Sequence, residues 1–142
     1  FACRDIESMF IPSHIRKINS FSFFGCRNLQ FVKFSIENSE LYSIDKYAFS
    51  DSSIQKISIP SSIEKVGVGS FNRCRKLKKV KFPKVSEKMK ICKKAFGQSS
   101  IENVMIYSKF CLISQSAFSY CSDLHSFEFL GENIQIDISK FS

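Results

Sequence analysis

The stretch "ISIPSSIEKVGVGSFNRC" (residues 57–74) has a near twin in "MFIPSHIRKINSFSFFGC" (residues 9–26). Aligned on proline, both read apolar-x-apolar-Pro, an Ile three residues later and a second apolar residue three further on. Ser-Phe follows, then Cys three residues after the Phe. A frame this long that occurs twice prompts a search for more copies, because a fixed period of about 20–50 residues marks a stacked-repeat architecture.

The copies are there. Phe1, Phe23, Phe49, Phe71, Phe96, Phe118 and Phe141 follow one another at intervals of 22 to 26 residues. Ile18, Ile44, Val66, Ile91, Ile113 and Ile136 stand five residues before the last six of these Phe. Ser22, Ala48, Ser70, Ala95 and Ala117 immediately precede theirs. After each Phe comes an apolar triplet, such as Leu29-Val32-Phe34, Ile54-Ile57-Ile59 and Leu77-Val80-Phe82. The last positions of each triplet alternate with polar residues, as a half-buried strand requires. The expected strands lie near 6–11, 29–34, 54–59, 77–82, 101–106 and 124–129. Coils two, four and six carry one extra residue together with Cys26, Cys74 and Cys121, so insertions fall at one place in the coil.

This frame resembles the BspA-type leucine-rich repeat of bacterial and protozoan surface proteins. The resemblance covers the whole chain, 1–142, as one array of six coils, and the array reads as a fragment of a longer one. It implies a leucine-rich repeat solenoid, mostly β with little helix, built of stacked coils of 22–26 residues. It further implies a surface adhesin or antigen-like scaffold, at the cell surface or secreted, that binds a protein or a host cell-surface or matrix ligand. Physically, no coil can bury its own Ile and Phe, so stacked coils share one core. Parallel strands of successive coils would form one sheet, with the Phe rings stacked on the opposite wall. Local departures exist: Lys88 and Asn133 occupy the slot held by Ile15 and Ile63.

Composition agrees with a packed chain rather than a disordered one: 44% of the 142 residues are hydrophobic, with sixteen Phe and no Trp. No apolar run approaches the roughly 18 residues that a membrane span needs. The six Cys include no C-x-x-C, and His14 and His125 are the only histidines, so zinc-ligand spacing is missing and no metal or cofactor is expected. Cys26, Cys74 and Cys121 occupy the same slot two coils apart, about 10 Å, beyond disulfide reach, and are expected as free thiols. Cys3 and Cys26, in adjacent coils, form the one plausible bridge; Cys92 and Cys111 have no assigned role. Cys121 and His125 are near in sequence, but the frame supplies no orienting third group for catalysis. Gly-rich phosphate loops and nucleophile elbows are absent, so the chain reads as no enzyme.

Recognition then falls to the variable, outward strand positions. One outward column is Ser8, Phe31, Lys56, Lys79, Asn103 and Ser126; the other is Phe10, Lys33, Ser58, Lys81, Met105 and Glu128. Phe10 and Phe31 are large apolar groups at solvent positions, serving either a partner or a further coil. The net charge is +8, and residues 73–94 hold eleven Lys/Arg against Glu87 alone. Lys78, Lys79 and Lys81 decorate the fourth strand, and Lys84 and Lys88 are expected at the sheet's margin. Two readings of this basic coil stand: a solvated face, or a polyanion-binding module with glycosaminoglycan as its ligand. Nucleic acid is disfavoured, since no helix is set up to enter a groove.

Overall fold

The computed structural model describes Cys3, residues 5–84 and 87–130, and the backbone of Asn133–Asp137. Phe1 and Phe141, at the ends of the expected column, lie outside the described residues. The chain is a solenoid of short parallel strands, with no helix among the described residues. Every coil contributes one strand to each of two faces.

The first face holds the expected strands, each a little shorter than the triplet. They are β1 (Ser8–Ile11), β3 (Phe31–Phe34), β5 (Lys56–Ser58), β7 (Lys79–Lys81), β9 (Asn103–Ile106) and β11 (Ser126–Phe129). The second face is built of β2 (Lys17–Ile18), β4 (Ser43–Ile44), β6 (Lys65–Val66), β8 (Met89–Ile91), β10 (Phe110–Ser114) and β12 (Asn133–Asp137).

The sheets differ from the expected arrangement in two respects. One sheet was expected; the second face is itself a six-stranded parallel sheet in the order β12-β10-β8-β6-β4-β2. Most of its strands have two or three residues and a single buried Ile or Val, too short to show alternation in sequence. The first face is also not one ladder but a four-stranded sheet, β1-β3-β5-β7, and a separate pair, β9-β11. The break follows β7, where Val80 is half-buried while Val32, Ile57 and Val104 are buried. One bond persists beside it, from the Ser100 N–H to the Leu77 carbonyl at 3.0 Å.

The core lies between the two faces and is closed on one side by the Phe column. Phe23, Phe49, Phe71, Phe96 and Phe118 stack nearly parallel, with centroids 5.2 or 5.3 Å apart. Each column Phe from 23 to 96 donates its N–H to the carbonyl before the next Phe: Ala48, Ser70, Ala95 and Ala117, at 2.7–2.8 Å. That approach leaves space for little more than a Cβ, which explains the Ala or Ser of the frame. Two residues beyond the Phe, the chain turns through the left-handed region at Gly25, Asp51, Arg73, Gln98 and Tyr120. Two residues before it, Phe21, Tyr47, Gly69 and Lys94 do the same. At Gly69 a Cβ would meet the Tyr47 ring at 2.3 Å, so glycine serves both the turn and the packing.

The cysteines divide by coil. Cys74 and Cys121 point inward, each 3.3 Å from a serine of the preceding coil, Ser52 or Ser99. Each thiol also donates to the carbonyl of the preceding column Phe, Phe49 or Phe96, at 3.1 Å. Both are free. Cys26 is not, contrary to its expected grouping with them: it is disulfide-bonded to Cys3, across a Cα–Cα distance of 5.2 Å. The slot is the same, but its neighbour in the preceding coil is a cysteine where the later coils have serine.

Candidate functional site

Alternation along β1, β3, β5 and β7 aims one set of side chains at the core and leaves the other in solvent. The ladder registers Ser8 with Phe31, Phe31 with Lys56 and Lys56 with Lys79. Alongside run Phe10 with Lys33 and Ser58 with Lys81. Beyond the break, Met105 is registered with Glu128. Phe10 is 59% exposed, Phe31 44% and Met105 40%. The outward columns are therefore those expected from sequence.

Lys33, Lys56, Lys79 and Lys81 meet around a shallow hollow of about 520 Å³, which Phe31 and Ile36 also line from the two ends of β3. Its floor is the sheet backbone at Val32, Phe34 and Ile57, whose side chains turn into the core. A second hollow, about 380 Å³, opens at the break between β7 and β9. Lys78, Lys79, Lys81 and Lys84 line one side of it; Glu102, Asn103, Met105 and Tyr107 line the other.

Lys88 does not join them. Its Nζ lies 3.2 Å from Glu64, beside a different hollow of about 850 Å³ lined by Ile63, Met89, Phe110 and Leu112. Residue 88 immediately precedes β8, so its exposed side chain stands beside the second face rather than the first.

The ion pairs found among the described residues lie away from the first face. Arg16 pairs with Glu40, Lys17 with Asp45, Arg27 with Asp51, Lys88 with Glu64 and Lys109 with Glu87, at 3.2–3.8 Å. Among the described residues, Lys33, Lys56, Lys79 and Lys81 form no ion pair. Lys56 and Lys79 even stand directly opposite each other, an arrangement of like charges that costs stability.

Ile36 was not anticipated. It lies two residues past the end of β3, where alternation no longer fixes direction, and it is 52% exposed. Phe21 and Phe24 were also missed. They sit edge to face on the turn side at 5.7 Å, with Tyr47 stacked on Phe21 at 5.4 Å.

The thiols are not poised nucleophiles. Burial pushes Cys74 up to about 11 and Cys111 up to about 12, and raises Cys92 as well. Cys121 is bonded to Ser99 and the Phe96 carbonyl, while Nδ1 of His125 lies 3.0 Å from the Asp123 carbonyl, so the two do not pair.

A repeat with a paired strand on each face, a stacked Phe column and a Cys–Ser slot is specific enough to compare with known families. The family described as BspA type leucine rich repeat region matches in six copies over residues 1–125. The chain belongs to this family. No curated protein matches it. Among solved structures, the pneumococcal vaccine antigen PcpA is similar at 26% identity and a TM-score of 0.71, over 92% of this chain and 30% of that one. A leucine rich cell surface protein from Faecalibacterium prausnitzii shares the fold at 22% identity and a TM-score of 0.58, over 89% of this chain and 40% of that one. The BspA-type chain thus spans less than half the length of either structure.

Proposed function

We propose that this BspA-type array is a non-enzymatic interaction scaffold that recognises a protein or cell-surface ligand through the outward residues of its first face. One observation carries the reading. On a face whose inward residues all follow the frame, the outward residues are unrelated from coil to coil, and four of them are lysines without counter-ions. Like charges held opposite one another detract from folding, while clustered cations on a fixed face raise the local potential that steers an anionic ligand. Family membership and the likeness to a pneumococcal vaccine antigen support a surface or secreted location, with a host matrix or cell ligand. The same reading takes residues 1–142 as a single array within a longer protein. Lys78, Lys84 and Met105, at the break, would extend the surface towards coil five.

A second reading, a polyanion site for glycosaminoglycan, is favoured by the same unpaired lysines. Both predict that Lys56→Glu/Lys79→Glu reduces binding to immobilised matrix proteins and cultured epithelial cells, whereas Arg16→Glu/Lys17→Glu on the second face does not. Equal binding by parent and first-face variant would exclude both.

A further inference from the structure

We propose that the first face binds an extended acidic polypeptide segment carrying one large apolar side chain, which seats against Phe31 while its carboxylates meet Lys33, Lys56, Lys79 and Lys81. This rests on the reading of the first face as the recognition surface and specifies its partner.

Two kinds of group stand side by side on this face. A polysaccharide polyanion needs cations alone. Here the lysine quartet shares one hollow with two exposed apolar side chains, Phe31 at 44% and Ile36 at 52% exposed. On coil one, Phe10 is registered with Lys33 and is 59% exposed. Partly exposed aromatic groups on a sheet face provide anchor points of a protein interface, and neighbouring charges provide steering and register.

The geometry also sets the ligand's spacing. Phe31 to Lys79 is two ladder steps, β3 to β5 to β7, or about 10 Å at about 4.8 Å per step. An extended chain advances about 3.3 Å per residue, so acid groups belong one to about three residues from the anchor. The segment crosses the strands along the solenoid axis. It does not add a strand, since β3 and β5 are paired on both sides.

The test uses a fluorescein-labelled nonapeptide with one leucine followed at the first and third positions by glutamate, in a serine-glycine background. Fluorescence polarisation would compare it with a peptide whose leucine is serine, one whose glutamates are six residues away, and a heparin oligosaccharide. The expected result is roughly tenfold weaker binding for each altered peptide, the loss typical of one interface contact of about 1.4 kcal/mol. Lys56→Glu/Lys79→Glu and Phe31→Ser are expected to weaken the parent peptide about tenfold each. Far-UV circular dichroism would check that both variants fold. Raising salt from 0.1 to 1 M shortens the Debye length from about 10 to about 3 Å and should weaken the parent peptide while leaving its leucine preference.

Heparin binding with no loss for the leucine-free peptide or for Phe31→Ser would overturn the proposal in favour of a polyanion site. So would binding indifferent to glutamate spacing. No peptide binding at millimolar concentration would overturn it too; the scaffold reading would still stand if charge reversal abolishes attachment to matrix proteins or cells.

Discussion

Replacing Phe71 with alanine tests the stacked column where it is most complete. Phe71 is fully buried, with Phe49 on one side at 5.3 Å and 11° and Phe96 on the other at 5.3 Å and 5°. Its removal loses the transfer energy of a whole ring and two stacking contacts. It also leaves a cavity that cannot collapse, since both neighbours are held by their own inter-coil bonds. Phe→Ala in such a site costs about 3–5 kcal/mol, of which roughly 0.5–1.5 comes from each ring pair. Phe23 provides the comparison: half-buried, and stacked on Phe49 alone among the described residues, at 5.2 Å. About 2 kcal/mol is expected there. In urea denaturation, with a slope of about 2 kcal/mol per M, the midpoint should fall by roughly 2 M for Phe71→Ala and roughly 1 M for Phe23→Ala. Such losses are large against a total stability of about 5–15 kcal/mol. Equal shifts at the two sites, with unchanged slopes, would refute the view that the column stabilises each coil through both neighbours.

Two further outcomes follow from the same packing. The Ser70 hydroxyl is buried and has no hydrogen-bond partner among the described residues, at a frame position where coils three, five and six have Ala48, Ala95 and Ala117. Ser70→Ala should therefore raise stability by about 1 kcal/mol, and a lower urea midpoint would show that the hydroxyl is satisfied after all. The buried thiols make the fold sensitive to alkali: above 9.0 the unfolded chain loses thiol protons that the folded chain keeps up to about 11 at Cys74 and about 12 at Cys111. The native state then binds more protons, so each thiol should remove about 1.4 kcal/mol per pH unit above 9, and nothing below it. Cys111→Ala should flatten that decline between pH 9 and 11; an unchanged slope would count against the assignment.

The coil, its period and the outward strand residues were all legible in the repeat. Those properties are fixed by repetition: an Ile or Phe that recurs at one frame position in six coils can be buried only if the coils stack in that register. The sequence also singled out Cys3 and Cys26 as the plausible bridge. It could not show the second sheet, because two-residue strands such as β2, β4 and β6 carry no period of their own and exist only through bonds to the coils above and below. The break after β7, the turning of Lys88 towards Glu64 and the meeting of Ile36 with the lysines of the next coils were likewise decided in three dimensions. Each depends on which neighbour a side chain finds across the stack, and a linear repeat fixes the order of those neighbours but not their distance.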